Sequence, residues 1–209
     1  QIVDRLFKSQ GLRDSFPAKV EEQVRALCEE HGGGVDDPTL KDMTAVPYIT
    51  IDNDNSMDLD QAMYIERTDV RKGDGYLVSY ALADGAYYVP PSTPIFESCL
   101  QRGGSSFYLP TKCIPMLSRK LSEDVMSLNQ GVDRRALVFD MFLDNSCNIL
   151  RTEYAWAKIR SRWKGTYREA PAYYEACDAG TTTPQHGQSY TSTLALLREV
   201  GLKRRALAR

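Results

Sequence analysis

The stretch "PYITIDNDNSMDLDQAM", residues 47–63, marks the point where the hydrophobic periodicity of the chain changes. Upstream of it, apolar residues recur at the three- and four-residue spacing that is typical of helices. From Tyr48 onward, apolar and polar residues alternate, as they do in half-buried strands. Four further runs are rich in β-branched and aromatic residues and are separated by turn residues: "AMYIER", "YLVSYALAD", "ALVFDMFLD" and "NILRTEYAWAKI". The sequence therefore predicts an α+β fold, a mostly antiparallel sheet with packed helices.

Two helices are predicted ahead of the sheet. Residues 2–7 carry apolar side chains at helical spacing, and a second periodic run follows Pro17, a residue suited to the first turn of a helix. The glycine-rich stretch "HGGGVDDPT", residues 31–39, then has the composition of a loop. We accordingly divide the chain into an N-terminal helical lead-in, residues 1–34, and a larger domain, residues 35–209.

Three more helices are predicted between and after the strands. "STPIFESCLQRG" begins with a capping Ser92 or Thr93 and ends in glycine, which indicates a short crossing helix. Another helix is expected after Pro171, and the most regular helical pattern covers residues 189–209. The stretch "GTTTPQHGQS", residues 180–189, has the composition of a flexible connection between these last two helices.

Composition limits the classes of function. The chain has 209 residues, 42% of them hydrophobic, which suits a globular fold and argues against disorder. Its formal net charge of −2 gives no global basic field, although positive residues gather in residues 151–168 and 198–209, where solvated helix faces are the plainer interpretation. No apolar run approaches the ~20 residues that span a bilayer, so no membrane partner is expected.

The cysteines and histidines do not indicate a site. Five cysteines, odd in number and without a CxxC pair, favour neither a disulfide framework nor a zinc site. A reducing, cytoplasmic compartment is therefore expected. The two histidines, His31 and His186, lie far apart in glycine-rich loops and are predicted to be bystanders.

Four aspartates, by contrast, fall within nine residues of the opening stretch: Asp52, Asp54, Asp58 and Asp60. Alternation places Asp52 on one face of its strand and puts Asp58 and Asp60 together on one face of the next, with the turn-like "NDNSM" between them. Two carboxylates ~5 Å apart repel by roughly 3 kcal/mol at an effective dielectric of about 20, so their clustering indicates a cation. Mg²⁺ is favoured where few carboxylates bind and where water and phosphate complete the coordination, as in phosphoryl transfer.

Two other interpretations of the aspartates were compared with a metal site. Asp and Asn are favoured in turns, so the loop could simply bond its own backbone. That interpretation suffices for the first two aspartates but not for a second pair that re-enters a strand before an apolar run. A calcium loop of the EF-hand type is excluded because, with Asp52 in first place, Met57 replaces the required glycine and Met63 replaces the bidentate glutamate.

Several motifs resemble one known family. "ITIDNDNSMDLDQAM" is similar to the metal-binding signature of the RNase II and RNase R exoribonucleases, which is close to T-I-D, a short variable stretch, then D-x-D-D-A. Residues 76–128, with "LAD", "RGG", "YLP" and "IPML", resemble the segment that follows in that family, and "ALVFDMFLDNSCNILRTEYAWAKIRSR" resembles its next hairpin. The similarity runs in order over residues 35–209, which are identified as the first half of an RNase II-type catalytic domain.

The resemblance implies a hydrolytic, Mg²⁺-dependent enzyme, with Mn²⁺ as a second suitable ion, that shortens single-stranded RNA from its 3′ end to nucleoside monophosphates. Asp52, Asp58 and Asp60 match three of the four family aspartates and are implied as catalytic metal ligands. Gln61 occupies the fourth position. Its neutral oxygen and amide donor could position a metal-bound water, but they supply neither charge nor a base.

The resemblance also implies residues that contact RNA. Tyr108, in "FYLP", matches the family tyrosine that stacks near the terminal nucleotides, and such stacking contributes ~1–3 kcal/mol per base. Asp84 matches the aspartate of the family's I-A-D strand end beside the site, although the residues after it diverge. Phosphate contacts are expected from basic residues: Arg119, Lys120, Arg160, Arg162 and Lys164. The plainer interpretations are a core tyrosine and solvent-exposed arginines at a strand edge.

The family's domain continues beyond this range, and its second half contains an arginine, a glutamate and another aromatic base clamp. We therefore expect the remainder of the catalytic domain and flanking RNA-binding modules as partners, and little or no hydrolysis by this chain alone. The main alternative is a catalytically impaired RNA-binding or scaffold homologue, which Gln61 favours. A carboxylate-rich metal hydrolase acting on another substrate is a weaker alternative, because only the resemblance selects RNA.

Overall fold

The computed structural model describes residues 15–32, 34–69, 74–109, 112–182 and 190–208. The predicted helix at residues 2–7 and most of the predicted connection at residues 180–189 lie outside these ranges. The chain divides into two compact units, each described by itself. Unit 1 comprises residues 1–33 and 85–126, and unit 2 comprises residues 34–84 and 127–209.

The described residues form eight strands and five α-helices. The strands are β1 (Lys41–Asp42), β2 (Tyr48–Asp52), β3 (Gln61–Asp69), β4 (Asp74–Ala83), β5 (Phe107–Tyr108), β6 (Cys113–Ile114), β7 (Asp133–Asp144) and β8 (Ile149–Thr166). The helices are α1 (Ala18–His31), α2 (Gly85–Tyr88), α3 (Pro94–Gln101), α4 (Glu169–Asp178) and α5 (Tyr190–Leu207), with a short π-helix at Leu121–Val125.

Unit 2 is built on a six-stranded sheet with the order β1-β8-β2-β3-β4-β7. The pairings β2–β3, β3–β4, β4–β7 and β7–β8 are antiparallel, which confirms the predicted α+β fold with a mostly antiparallel sheet. Strands β1 and β2 instead run parallel to β8. Nothing in the sequence pattern predicted these two parallel pairings.

Strand β8 closes the sheet because it changes partners along its 18 residues. Its first part pairs with β7, and its last part, from Ser161 to Thr166, pairs with β2. The register slips by one residue where Tyr48 faces Ser161 and Ile49 faces Trp163, so that Arg162 is the extra residue of a bulge. A bulge bends its strand, which here accompanies the change of partner. Strand β2 is thus held between β3 and β8.

Both faces of β2 are buried along its first three residues. Tyr48 and Thr50 expose 0% and 1% of their surface, and Ile49 exposes 0%. Tyr48 belongs to the larger apolar cluster of the sheet, which also contains Leu59, Ala62, Tyr64, Ala81, Leu128, Ala136, Val138, Ala157 and Ile159. Ile49 belongs to a cluster with Ala170 of α4 and Leu194 of α5, so the two helices cover the opposite face.

Unit 1 has a separate apolar core. Helix α1 contributes Val20 and Val24 to a cluster that also contains Tyr88, Ile95, Cys99, Leu117, Leu121 and Val125. Helix α3 starts as predicted, because the Thr93 side chain accepts a hydrogen bond from the Phe96 amide and caps the first turn. Arg102 is buried and donates to the carbonyl oxygens of Ser15 and Pro115, which ties the two chain segments of the unit together.

Two predicted element boundaries were wrong. Helix α4 begins at Glu169, before Pro171, because Thr166 and Glu169 exchange reciprocal backbone-to-side-chain hydrogen bonds of 2.8 and 3.1 Å, so the proline falls within the first turn. Strand β3 begins only at Gln61, so Asp58 and Asp60 lie in the irregular segment before it and not on its face. Among the residues described, no helix has the length and apolar character needed to cross a membrane.

Candidate functional site

Asp52 is the last residue of β2 and is positioned by both neighbouring segments. Opposite it, Thr166 ends β8. The Tyr167 amide donates to the Asp52 carbonyl oxygen at 3.0 Å, which extends the strand pairing by one step. The Asn53 amide donates to Asp52 Oδ1 at 2.7 Å, so the carboxylate is also held by the turn that follows. Asp52 therefore lies where β2 leaves the sheet.

Residues 53–60 connect β2 to β3 and are held by side chains from distant parts of unit 2. Lys164 Nζ donates to the Ser56 carbonyl oxygen at 2.6 Å. Ser127 Oγ donates to the Met57 carbonyl oxygen at 2.7 Å and accepts from the Leu59 amide at 3.0 Å. The Leu59 side chain is itself buried, with 2% of its surface exposed. These contacts fix the backbone on either side of Asp58 and direct the chain into β3.

A pocket of about 90 Å³ lies at this end of the sheet. It is lined by Thr50, Ile51, Asp52, Leu59, Asp60, Gln61 and Tyr167. Burial raises the pKa of the Asp60 carboxyl, and the charges of Asp58 and Asp52 raise this pKa further. The structure thus brings Asp52 and Asp60 together around one pocket. Asp58 is near enough to act on Asp60 but is not among the lining residues.

The donor chemistry of the pocket was compared with the needs of a divalent cation. Among the described residues, no group of three or more His, Cys, Asp or Glu side chains is arranged to hold a metal ion. Mg²⁺ needs fewer protein ligands than that, because it keeps several waters and binds through one or two carboxylates. Asp52 and Asp60 supply two carboxylates here, and Thr50 Oγ1 is a buried oxygen with no hydrogen-bond partner within the described ranges. These residues fit a hydrated Mg²⁺ ion.

Gln61 is held by a partner that the sequence did not indicate. The Tyr80 hydroxyl, on the neighbouring strand β4, donates to Gln61 Oε1. Burial raises the pKa of the Tyr80 phenol, and nearby Tyr167 raises this pKa further, so Tyr80 remains a protonated donor at neutral pH. The oxygen of Gln61 is therefore engaged with protein, and its amide nitrogen is the group left to act as a donor.

Three other predicted site residues of unit 2 have protein partners. Asp84 lies 3.2 Å from Arg135 Nε, and both side chains are buried. Arg160 Nε donates to Asp133 Oδ1 at 2.6 Å. Arg162, the bulge residue, donates to the carbonyl oxygen of Thr44 at 2.6 Å. Each of these three charged side chains therefore has a partner within the protein. Contacts between these side chains and RNA remain predictions.

Tyr108 and Arg119 belong to unit 1. Tyr108 lies in the two-stranded β5–β6 sheet and exposes 77% of its surface, so the plainer interpretation, a core tyrosine, is wrong. Arg119 forms an ion pair with Glu123 one helical turn later. A ring this exposed can stack on a base, whereas the Arg119 charge is already matched on the protein surface.

Sequence reasoning missed several residues that shape the pocket. Thr50 had a usable signal, because alternation places it on the same face as Asp52. Tyr167, Tyr80 and Ser127 had none, since their sequence distance from the aspartates is large and only the strand pairing brings them near. Arg168, which forms an exposed ion pair with Asp54 at 3.1 Å, likewise depends on the closure of the sheet by β8. That pair assigns Asp54 to the turn and not to the pocket.

The geometry therefore defines an α+β domain with a carboxylate-lined pocket where its central strand ends. Comparison with protein families finds a match to the RNB domain over residues 40–207. The chain belongs to the RNB domain family. This result confirms the resemblance to the RNase II and RNase R enzymes that the motifs indicated.

Similar proteins agree with this assignment. Ribonuclease R of Mycoplasmopsis pulmonis is 37% identical over 174 residues, which cover 83% of this chain and 23% of that protein. The structure of Mycoplasma genitalium RNase R in complex with ribose methylated single-stranded RNA superposes with a TM-score of 0.80 at 22% identity, over 98% of this chain and 30% of that one. Yeast Ssd1, a pseudonuclease, gives a TM-score of 0.61 at 12% identity, over 89% of this chain and 24% of that one.

These shares show that the chain spans about a quarter of the length of the relatives it matches. At 22% and 12% identity, the two structural matches establish the fold only. Because an RNase R and a pseudonuclease share that fold, activity has to be argued from the residues of the pocket.

Proposed function

We propose that the intact protein containing this chain is a hydrolytic 3′-to-5′ exoribonuclease that degrades single-stranded RNA to nucleoside monophosphates with a bound divalent cation. The observation that carries the proposal is the meeting of Asp52 and Asp60 at one pocket, within range of Asp58, inside a chain of the RNB domain family. Ribonuclease R of Mycoplasmopsis pulmonis, a relative at 37% identity, supports the same class of reaction.

The roles of the acidic residues follow from charge. Asp52, Asp58 and Asp60 concentrate negative charge at and beside one pocket, and a bound cation would offset their mutual repulsion. Mg²⁺, or Mn²⁺ in its place, would polarise a phosphodiester oxygen and lower the pKa of a bound water when held there. Asp52 and Asp60 would hold the ion, and Asp58 would add attraction from just outside the lining.

Gln61 and Tyr80 would act on the substrate side of the pocket. Because Tyr80 engages Gln61 Oε1, the amide nitrogen of Gln61 can donate to a phosphate oxygen or to a water near it. An aspartate at the same position would accept and would add a fourth negative charge. The proposed site therefore works with three carboxylates and one neutral donor.

Single-stranded RNA is the proposed partner. Tyr108 is an exposed ring that can stack on bases without sequence preference. The remainder of the catalytic domain and flanking RNA-binding modules are further proposed partners, in keeping with relatives about four times as long as this chain.

The test uses the intact protein, 5′-labelled single-stranded RNA and Mg²⁺. Wild type is expected to shorten the RNA from its 3′ end, and Asp60→Asn is expected to abolish shortening. Asp54→Asn is the matched control, because Asp54 lies in the same segment but pairs with Arg168 at the surface. If Asp60→Asn degrades RNA at the rate of wild type, the metal assignment is wrong.

A second candidate function is a catalytically impaired RNA-binding or scaffold homologue. One observation favours it: Gln61, which stands where the resemblance implies a fourth aspartate, is neutral and already bonded to Tyr80. This candidate predicts RNA binding by wild type without Mg²⁺-dependent loss of 3′ nucleotides. If wild type is inactive and Gln61→Asp restores degradation, the impaired homologue is the correct description.

A further inference from the structure

Thr50 is an unusual residue for the middle of a buried strand. Its side chain exposes 1% of its surface, and Oγ1 has no hydrogen-bond partner among the described residues. An unpaired buried hydroxyl is unfavourable relative to a satisfied one, because its desolvation is not compensated by a hydrogen bond. Valine has the same shape, no polar atom and a high strand propensity, so the fold alone would be better served by valine.

The surroundings of Thr50 identify where its partner would come from. Thr50 lies two residues before Asp52 on the same face of β2, and both line the pocket that Asp60 also lines. The volume of about 90 Å³ accommodates several waters, since one water needs roughly 10–15 Å³ on this measure. The oxygen that completes the hydrogen bonding of Thr50 would therefore occupy the pocket with the two carboxylates.

We propose that Thr50 is a positioning residue: its hydroxyl accepts a hydrogen bond from a water of the hydration shell of the divalent cation held by Asp52 and Asp60. The inference rests on the proposed metal site and adds to it a neutral oxygen that acts through water. Mg²⁺ retains several waters when few protein ligands bind it, and a cation-bound water is a strong donor. Thr50 is suited to receive that bond because a hydroxyl oxygen has two acceptor lone pairs.

The chemistry of the neighbours makes this role specific to Thr50. Gln61 Oε1 is engaged by Tyr80, so it does not compete for the same water. The Leu59 and Ile51 side chains that line the pocket are apolar. Thr50 and Tyr167 are the neutral lining residues with a hydroxyl oxygen, and Thr50 is the one that lies on the strand face of Asp52 and has no hydrogen-bond partner among the described residues.

The experiment measures binding of Mn²⁺ alone to the intact protein by calorimetry, without RNA. Thr50→Val is expected to weaken Mn²⁺ binding about fivefold, the equivalent of one hydrogen bond of about 1 kcal/mol. The urea midpoint of the metal-free protein is expected to stay the same or rise, because the variant removes an unsatisfied hydroxyl. Thr50→Ser, which keeps the hydroxyl, is expected to bind Mn²⁺ like wild type.

Thr193→Val provides a matched control. Thr193 is also buried, with 0% exposed, but its hydroxyl oxygen accepts from the Ile65 amide and faces a different part of the sheet. This variant is expected to lower the urea midpoint and to leave Mn²⁺ affinity unchanged. A loss of Mn²⁺ affinity in Thr50→Val and a loss of stability in Thr193→Val would distinguish a positioning role from a general loss of stability.

Three results would overturn the inference. Thr50→Val with wild-type Mn²⁺ affinity would show that the hydroxyl does not act on the bound ion. Equal weakening by Thr50→Ser and Thr50→Val would assign the effect to packing. Wild-type Mn²⁺ affinity in Asp60→Asn would instead overturn the metal site itself, so that failure of the proposed function is recognised separately.

Discussion

Arg135 and Asp84 form a buried ion pair in unit 2, with Arg135 Nε 3.2 Å from Asp84 Oδ2 and only 9% and 7% of their side chains exposed. Arg135 also donates to Asp37, which joins the loop before β1 to the end of β4. The motif resemblance implied Asp84 as a residue beside the site. Its carboxylate is already matched by Arg135, so the structure indicates that Asp84 stabilises the strand ends.

Asp84→Asn is therefore expected to lower the free energy of unfolding by about 2–3 kcal/mol, because the buried Arg135 guanidinium loses a charged partner. Urea unfolding of the intact protein measures this loss. Asp74→Asn, at the exposed start of β4, is the control and is expected to change stability little. If Asp84→Asn has wild-type stability but binds RNA more weakly, Asp84 belongs to the RNA-binding site instead.

Asp37 makes the same network sensitive to acid. Hydrogen bonds from the Thr39 hydroxyl, the Thr39 amide and Arg135 together lower the pKa of Asp37 from 3.8 to about 2. A carboxyl with a lowered pKa in the folded state contributes stability above its ordinary pKa, and this stability is lost as the pH falls through the lowered value. Between about pH 4 and pH 2, unfolding free energy should fall more steeply in wild type than in Asp37→Asn.

The measurement is a series of urea midpoints for both proteins across that range, with Asp69→Asn as a second variant for the general effect of removing a surface carboxylate. Above about pH 5, wild type should be more stable than Asp37→Asn by a constant amount. Parallel pH curves for the two proteins would contradict the assignment.

Ser127 is expected to stabilise residues 53–60, the segment that carries Asp58 and Asp60. Its hydroxyl donates to the Met57 carbonyl oxygen and accepts from the Leu59 amide, on either side of Asp58. Ser127→Ala leaves a buried amide unpaired and should lower the free energy of unfolding by about 2 kcal/mol. Hydrogen exchange should quicken at residues 57–60, and Mn²⁺ affinity should fall with it. Ser105→Ala, at an exposed position, is the control.

The strands and most of their order along the chain were predictable because the signal is local. The alternation of apolar residues predicted a strand at "YITID", and β2 has the same bounds. Thr93 predicted the start of α3 because threonine is a favoured N-cap residue. The start of β3 was wrong because the alternation of the aspartates continues that of the strand, whereas Ser127 and Leu128 hold Leu59 in an irregular path. A hydrogen bond from a residue 68 positions away leaves no trace in local periodicity.

In the candidate site, too, only the residues with a local sequence signal were predictable. The spacing of the aspartates predicted the site, and alternation places Thr50 on the strand face of Asp52. Tyr80 and Tyr167 approach the pocket only because β3 pairs with β4 and because β8 leaves β7 to join β2. The bulge at Arg162 accompanies that second event, and a bulge in a strand of β-branched and aromatic residues has no distinct sequence signature.

Gly165 tests this closure directly, since it pairs with Ile51 on the strand that ends in Asp52. A Cβ atom on Gly165 would lie well within van der Waals contact distance of the Trp163 ring, which stacks on Tyr190 at 4.8 Å. Gly165→Ala is therefore expected to lower the free energy of unfolding by about 1–3 kcal/mol. Gly201→Ala, in α5 with no atom near the added Cβ, is the matched control and should raise stability by up to about 1 kcal/mol.

A double-mutant cycle identifies the cause of the Gly165 effect. If the loss comes from the Trp163 ring, Gly165→Ala should cost much less in a Trp163→Leu background, and the coupling should reach about 1 kcal/mol or more. Urea unfolding of the four proteins measures the cycle. Additive losses would mean that Gly165 is required for a reason other than the Trp163 ring.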